Sequence, residues 1–175
     1  MAYFFVEYGL SESCKAETIL RSFIRQSLDP LNIPTSIEAK LRSMRTEGYV
    51  RLEEWTTLLG EITQTFSLTY LFLDAVDECE PTEQLATLKE LSSLASSISS
   101  VRIFLSGREG LSSEMDRKFP NIRRLSTASD LAKPDMGIFV EGVLQSKAED
   151  GELVLGDLSL LDEVRDRLVQ HADGM

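Results

Sequence analysis

The spacing of hydrophobic residues changes several times along the chain, and each change predicts a different element. The first segment, AYFFVEY, is rich in aromatic residues and predicts a strand. Three stretches with helical spacing follow, at residues 19–28, 35–46 and 51–66. The first part of the chain therefore predicts one strand and three amphipathic helices.

Two apolar runs predict further strands, at residues 68–74 (LTYLFLD) and 101–106 (VRIFLS). The first run does not alternate between polar and apolar positions, which is typical of a strand that is covered on both faces. Helical spacing at residues 84–98 separates the two runs. A short helix near residues 111–118 and another strand at residues 122–126 (IRRLS) are predicted after them.

The order of these elements predicts an α/β fold. Strands that alternate with helices imply right-handed crossovers and a parallel sheet, which we expect to form three layers with helices on both faces. From Pro134 onward the pattern is helical. We therefore divide the chain into an α/β core at residues 1–128 and the beginning of a helical region at residues 129–175. In such sheets ligands bind beyond the carboxyl ends of the strands.

Composition and charge narrow the classes of function. The 175 residues carry 18 basic and 29 acidic side chains, for a formal net charge of −11. This balance argues against binding to nucleic acid, which needs a basic surface, and against attraction to an anionic membrane. No apolar run reaches the ~18–20 residues of a membrane span, and the N-terminus lacks the basic segment of a signal peptide. These features predict a cytoplasmic protein.

Two cysteines and one histidine limit the catalytic chemistry. We interpret Cys14 and Cys79 as reduced thiols of an intracellular protein; one disulfide in a secreted domain is the alternative. The single histidine, His171, lies near the C-terminus, which removes most histidine-based catalysis and histidine-rich zinc sites. Acidic neighbours raise the pKa of a thiol, so we do not expect Cys79 to be reactive.

Acidic residues and an arginine lie at the predicted carboxyl ends of two strands. Asp74 ends the second strand and is followed by Asp77 and Glu78, whereas Ser106 and Arg108 follow the third strand. Carboxylates at such an edge could hold Mg²⁺ or orient a water for attack on a phosphate, and an arginine could hold a phosphate oxygen. The alternatives are that Asp74 is a cap or turn residue and that Arg108 is a structural ion-pair partner of these acids.

Four segments resemble the NACHT class of P-loop NTPases, especially its fungal and nephrocystin-3-like branch. YLFLDAVDEC resembles the Walker B segment, and VRIFLSGRE resembles the sensor-1 strand. YFFVEYGLSESCKAETILRSFIRQSL resembles the stretch after the phosphate-binding helix, and LLDEVRDRLVQHADGM resembles a helix that ends in A-x-G-M-F in this family. The resemblance covers nearly the whole chain.

The resemblance implies a role for each residue at the strand ends. Asp74 would bind Mg²⁺, and Asp77 and Glu78 would be catalytic, because they would activate or position the attacking water. Arg108 would sense the γ-phosphate, with Ser106 beside it in the nucleotide site. The cofactors of intact relatives are Mg²⁺ and ATP or GTP.

The Walker A loop of this class, G-x-x-x-x-G-K-[ST], does not occur in the sequence. Its backbone amides and lysine are the main holders of the phosphates. We expect the P-loop strand, loop and helix to be missing upstream, which would leave residues 101–106 as an exposed edge strand. We therefore expect ATP or GTP hydrolysis, which the family implies, to be lost in this chain alone, with no nucleotide bound tightly.

We interpret the chain as a fragment of a STAND-class NACHT signalling NTPase, a nucleotide-dependent switch of the fungal innate-immunity or cell-death type. The alternative is a non-enzymatic interaction or regulatory module that has lost nucleotide binding and pairs through its open sheet edge. A third hypothesis, a Mg²⁺-dependent phosphohydrolase or nuclease, has less support because the sequence offers only one acidic strand end. The first two hypotheses predict protein partners or self-association, without nucleic acid or membrane.

Overall fold

The structure is a computed structural model, and its contacts group the chain into two compact units, Met1–Ile122 and Arg123–Met175. It describes residues 1–7, 9–29, 32–46, 48–125, 133–154, 156–157 and 160–171, without the side chains of Glu109 and Ser112. The domain boundary predicted after residue 128 lies outside the described residues.

Three parallel strands form the sheet of the first unit. They are β1 (Ala2–Phe5), β2 (Thr69–Asp74) and β3 (Val101–Leu105), and β2 lies in the middle. The predicted α/β class and parallel pairing are confirmed for this unit. Residues 122–125 form no strand, so the strand predicted at IRRLS is wrong there, and its last residue lies outside the described chain.

Helices connect the strands at the places that the helical spacing predicts. In the described part of the first unit they are α1 (Ala16–Ser27), α2 (Thr35–Thr46), α3 (Leu52–Thr63), α4 (Pro81–Ser97) and α5 (Ser112–Lys118). Single 3₁₀ turns at Val76–Glu78 and Glu109–Leu111 follow β2 and β3. The predicted third helix is shorter than expected, since α3 ends at Thr63 and Phe66 is exposed.

The core lies between one face of the sheet and helices α1, α3 and α4. Leu71 and Leu73 of β2 are buried there against Phe23 of α1 and the leucines of α3 and α4. Each such side chain stabilises the fold by about 1.5–3 kcal/mol relative to an exposed position. The amphipathic patterns of these helices are therefore explained by one shared core.

Trp55 of α3 lies at the margin of this core. Its side chain is buried, and the Arg21 guanidinium of α1 sits 5.4 Å from the ring centroid. A cation over an indole face is attractive because the ring face carries negative charge density. This contact joins α1 to α3.

The other face of the sheet carries an aromatic cluster. It consists of Tyr3, Phe5, Tyr70, Phe72 and Phe104 and is called the aromatic face below. The rings of Phe72 and Phe104 stack at 4.6 Å between centroids, and all of these residues except Phe72 are exposed.

The aromatic face corrects the prediction of three layers. In the described first unit, α1 contacts β1 and α4 contacts β3 on the same face of the sheet, and α3 packs on these two helices. The expected helices on both faces are therefore not found in this part of the chain. Strand β2 does alternate, with Leu71 and Leu73 buried and Tyr70 and Asp74 exposed. This alternation could not be recognised in the sequence, because the outward positions 70 and 72 carry aromatic residues, which are as hydrophobic as core residues.

The second unit contains two described helices, α6 (Lys133–Glu149) and α7 (Leu160–His171), which pack against each other. Arg165 of α7 lies 3.6 Å from a Glu141 oxygen of α6. The helical pattern predicted from Pro134 onward is confirmed over these two ranges; residues 150–154 between them are not helical, and the part of the pattern at Leu158 lies outside the described residues. Neither helix contains a fully buried residue. Among the described residues, no helix combines the length and the apolar character that crossing a bilayer requires.

Candidate functional site

The residues predicted for the site lie at or just beyond the carboxyl ends of β2 and β3, in two contacting groups. One group is Asp74 with Ser106, and the other is Arg108 with Asp77 and Glu78. Asp74 is the last residue of β2, and Ser106 directly follows β3. The Ser106 hydroxyl donates a hydrogen bond to Asp74 Oδ1 and accepts one of 3.2 Å from the Ala75 amide. The Ser106 amide also donates to the Leu73 carbonyl at 3.0 Å. These bonds fix Asp74 and Ser106 side by side.

A left-handed residue brings the other two acids to the same edge. Ala75 has φ 58° and ψ 37°, a conformation that costs a non-glycine residue about 1–2 kcal/mol. The chain turns there into the 3₁₀ turn that contains Asp77 and Glu78, and the Glu78 amide donates to the Ala75 carbonyl at 3.0 Å. The strained turn therefore places two carboxylates next to the end of β2.

Arg108 lies against these two carboxylates. Its Nε is 3.5 Å from Asp77 Oδ2, and one terminal nitrogen is 3.9 Å from Glu78 Oε1. The arginine side chain is 84% exposed, whereas the carboxylate side chains are 14% and 22% exposed. An ion pair with so exposed a cation contributes about 0–1 kcal/mol, so the guanidinium loses little if it turns toward another anion.

Gly107 lies between Ser106 and Arg108, close to the acidic turn. A Cβ atom at this residue would lie 2.9 Å from Asp77 Oδ1 and 3.0 Å from a Leu111 methyl carbon. A side chain here would therefore require the Asp77 carboxylate or the Leu111 side chain to shift. The contact between the β3 end and the acidic turn thus depends on glycine, and only the folded geometry reveals this requirement.

The donor set fits a magnesium ion that takes most of its ligands from water and phosphate. Mg²⁺ typically binds one or two carboxylates and keeps several waters. Asp74 is exposed, and its Oδ1 accepts from Ser106, so one carboxylate is held in place at the edge. The described residues contain no group of three or more Asp, Glu, His or Cys side chains that could hold a metal ion. A cage made of protein ligands alone is therefore not part of the described site.

Two thiols lie directly behind the acidic turn, which the sequence did not predict. Cys14 Sγ is 3.8 Å from the Glu78 carbonyl oxygen, and Cys79 follows Glu78. Burial, followed by the charge and hydrogen bond of Cys14, raises the pKa of the Cys79 thiol to about 12. The predicted direction of this pKa shift is confirmed, but burial is its main cause and acidic neighbours contribute less. No spacing rule joins two cysteines this far apart in sequence.

One comparison with known proteins found a match, and it covers this part of the chain. The family model described as "Nephrocystin 3, N-terminal" matches residues 1–108, more than half of the chain. The matched range contains all three strands and all five predicted site residues, and it ends at Arg108. No curated protein and no solved structure matches the chain. The chain therefore belongs to the nephrocystin 3 N-terminal family.

Proposed function

We propose that this chain supplies the magnesium- and phosphate-responsive edge of a NACHT-type, STAND-class signalling NTPase, which is a nucleotide-dependent switch. The observation that supports it is the arrangement at the carboxyl edge of the sheet. One carboxylate, Asp74, is fixed by Ser106, while the exposed Arg108 rests on Asp77 and Glu78. Ligands of parallel α/β sheets bind beyond this edge.

Each side chain has a defined part in the proposal. Asp74 would hold Mg²⁺, which supplies positive charge against the phosphate oxygens when bound. Arg108 would leave the acidic turn and hold a phosphate oxygen through its planar donors. Asp77 and Glu78 would then accept hydrogen bonds from a water and orient it. Ser106 would keep Asp74 in position.

The sequence contains no G-x-x-x-x-G-K-[ST] motif, so the groups that hold most of the phosphate charge are not among these 175 residues. We expect weak binding of Mg-ATP and Mg-GTP by this chain alone in isothermal titration calorimetry. Micromolar affinity would contradict this expectation, because it would require a phosphate holder other than the Walker A loop.

Weak binding still permits a direct test of the edge. Mn²⁺, which substitutes for Mg²⁺, broadens the amide NMR signals of nearby residues. We expect Mn²⁺ with ATP to broaden the signals of residues 74–78 and 106–108 first. Asp74→Asn should remove this broadening, whereas Glu80→Gln, an exposed acid just after the turn, should leave it unchanged.

The variant Arg108→Gln distinguishes the effect of the nucleotide on the broadening from the effect of the metal ion. It should weaken the broadening caused by Mn²⁺ together with ATP. The broadening caused by Mn²⁺ without nucleotide should stay unchanged, since Arg108 is proposed to contact phosphate only. Broadening spread evenly over the acidic surface, or unaffected by Asp74→Asn, would overturn the proposal.

A second candidate function is a non-enzymatic interaction module. The aromatic face favours it, since large exposed apolar patches mark surfaces that contact other proteins. On this hypothesis the strand-end residues have only a structural role, as the ion pairs of Arg108 allow. The titration with Mn²⁺ distinguishes the two candidates, because a purely structural edge has no preference for the metal.

A further inference from the structure

The chain contains two cysteines, and the fold places them together. Cys14 lies in the segment between β1 and α1, and Cys79 follows the acidic turn after β2. Cys14 Sγ lies 3.8 Å from the carbonyl oxygen of Glu78, the residue before Cys79. The Cys79 side chain is 5% exposed, whereas Cys14 is partly exposed and reaches solvent.

We propose that Cys14 and Cys79 form a reversible disulfide when the protein meets a peroxide, and that this bond fixes the acidic turn to the segment before α1. The inference does not depend on the nucleotide role, since it rests on the position of the two thiols alone. It concerns the site nonetheless, because Asp77 and Glu78 immediately precede Cys79.

The backbone on both sides of the thiols is held in place. The Ser13 hydroxyl donates to the Leu10 carbonyl at 2.8 Å and accepts from the Glu7 amide at 3.1 Å, which orders the turn before Cys14. The Ala16 amide at the start of α1 donates to Glu83 Oε2 of α4 at 2.9 Å. A disulfide requires the two Cα atoms to stay within about 4.4–6.8 Å, and these anchors keep the two segments adjacent.

The chemistry needs only the two thiols and the peroxide. The Cys14 sulfur attacks a peroxide oxygen, the O–O bond breaks, one water leaves, and Cys14 becomes a sulfenic acid oxidised by two electrons. The Cys79 sulfur then attacks the Cys14 sulfur, and the S–O bond breaks. Hydroxide leaves and takes the Cys79 thiol proton as a second water. Two thiols and one hydrogen peroxide thus give one disulfide and two waters.

The environment of the thiols sets the order of these steps. Cys14 reaches solvent and meets the peroxide first, whereas Cys79 is buried behind it. Burial raises the pKa of Cys79 to about 12, together with Cys14 and the carboxylates of Glu83 and Asp77. This thiol is therefore almost entirely protonated at neutral pH. The thiolate is the attacking species, so disulfide closure should be slow near pH 7 and faster at higher pH.

The test oxidises the purified chain with a small excess of hydrogen peroxide. We expect the intact mass to fall by two hydrogen atoms, both thiols to become unreactive toward a thiol reagent, and dithiothreitol to restore them. The bond closes a long loop, so the melting temperature of the oxidised chain should rise by roughly 5 °C or more. The closure rate should increase with pH.

Two variants supply the controls. Cys79→Ser should stop at the sulfenic acid of Cys14, which dimedone traps, and should show no rise in melting temperature. Cys14→Ser should react slowly with peroxide, because the remaining thiol is buried. If either variant fails to fold, the comparison of mass and melting temperature between the reduced and the oxidised wild-type chain still tests the proposal. Disulfides found only between chains, or overoxidation without loss of two hydrogens, would overturn the proposal.

Discussion

At the scale of single residues, the site depends on one strained alanine. Ala75 is the one non-glycine residue with positive φ in the described chain, and it lies between Asp74 and the acidic turn. Its amide donates to Ser106, so the strain is held by contacts from the neighbouring strand. Strained backbone often occurs where a fold must aim side chains at one point.

Ala75→Gly should therefore stabilise the protein. Glycine adopts this conformation without the steric cost of alanine, but its unfolded state has more entropy, so we expect a net gain of about 0.5–1 kcal/mol in the free energy of unfolding. Urea denaturation measures this change. Ala39→Gly, on the exposed side of α2, should instead lower the free energy of unfolding by about 1 kcal/mol. A loss of stability in Ala75→Gly would contradict the strain described here.

The sequence predicted which residues meet at this edge but not how they are held. Asp74, Asp77 and Arg108 could be placed because the carboxyl ends of parallel strands share an edge. Nothing in the sequence marks Ala75 for a left-handed conformation. The need for Gly107 also depends on the distance to a carboxylate from another segment, which only the folded chain defines.

At the scale of elements, helices α3 and α4 are joined by a buried charge. Glu90 is 3% exposed and accepts a hydrogen bond from the Thr56 hydroxyl at 2.8 Å. Its other carboxylate oxygen lies 3.2 Å from the Lys89 ammonium. Leu85 belongs to the apolar positions with helical spacing at residues 84–98, but it is 41% exposed. A glutamate looks like a surface residue in the sequence, because its partner Thr56 lies on another helix.

Glu90→Ala should destabilise the protein by about 2–4 kcal/mol, since it removes the hydrogen bond that joins the two helices and opens a cavity between them. The Thr56 hydroxyl keeps the Leu52 carbonyl of its own helix as an acceptor, at 3.1 Å. Glu90→Gln keeps the volume and an acceptor for Thr56, so its cost should be about 1 kcal/mol. Urea denaturation of both variants measures the difference. The control is Glu38→Ala, which breaks a surface ion pair with Arg42 and should change stability by less than about 0.5 kcal/mol. Equal losses in both Glu90 variants would argue against the hydrogen bond.

At the scale of the whole molecule, an exposed apolar sheet face coexists with a net charge of −11. The aromatic face favours association, and the negative charge opposes it. The sequence predicted association through an open strand edge, but the described structure also exposes an apolar face of the sheet. The difference arises because a run of aromatic residues does not reveal which of its members point outward.

Self-association should therefore increase when salt screens the charge. Sedimentation velocity over a range of sodium chloride concentrations measures it. Phe5→Ser, at a position that is 63% exposed on the aromatic face, should reduce the association. Tyr49→Ser alters a ring that is 80% exposed and lies before α3, so it should leave the association unchanged. Association that falls with added salt, or an equal effect of both variants, would show that the aromatic face is not the contact.

Trp55 of α3 lies against Arg21 of α1 and is the single tryptophan of the sequence. Its emission therefore reports only on the unit Met1–Ile122, whereas circular dichroism also detects α6 and α7 of the other unit. If the two units unfold at different temperatures, the melting curves from fluorescence and from circular dichroism will not coincide. Tryptophan fluorescence can therefore follow the unfolding of the unit that contains the acidic edge without a label.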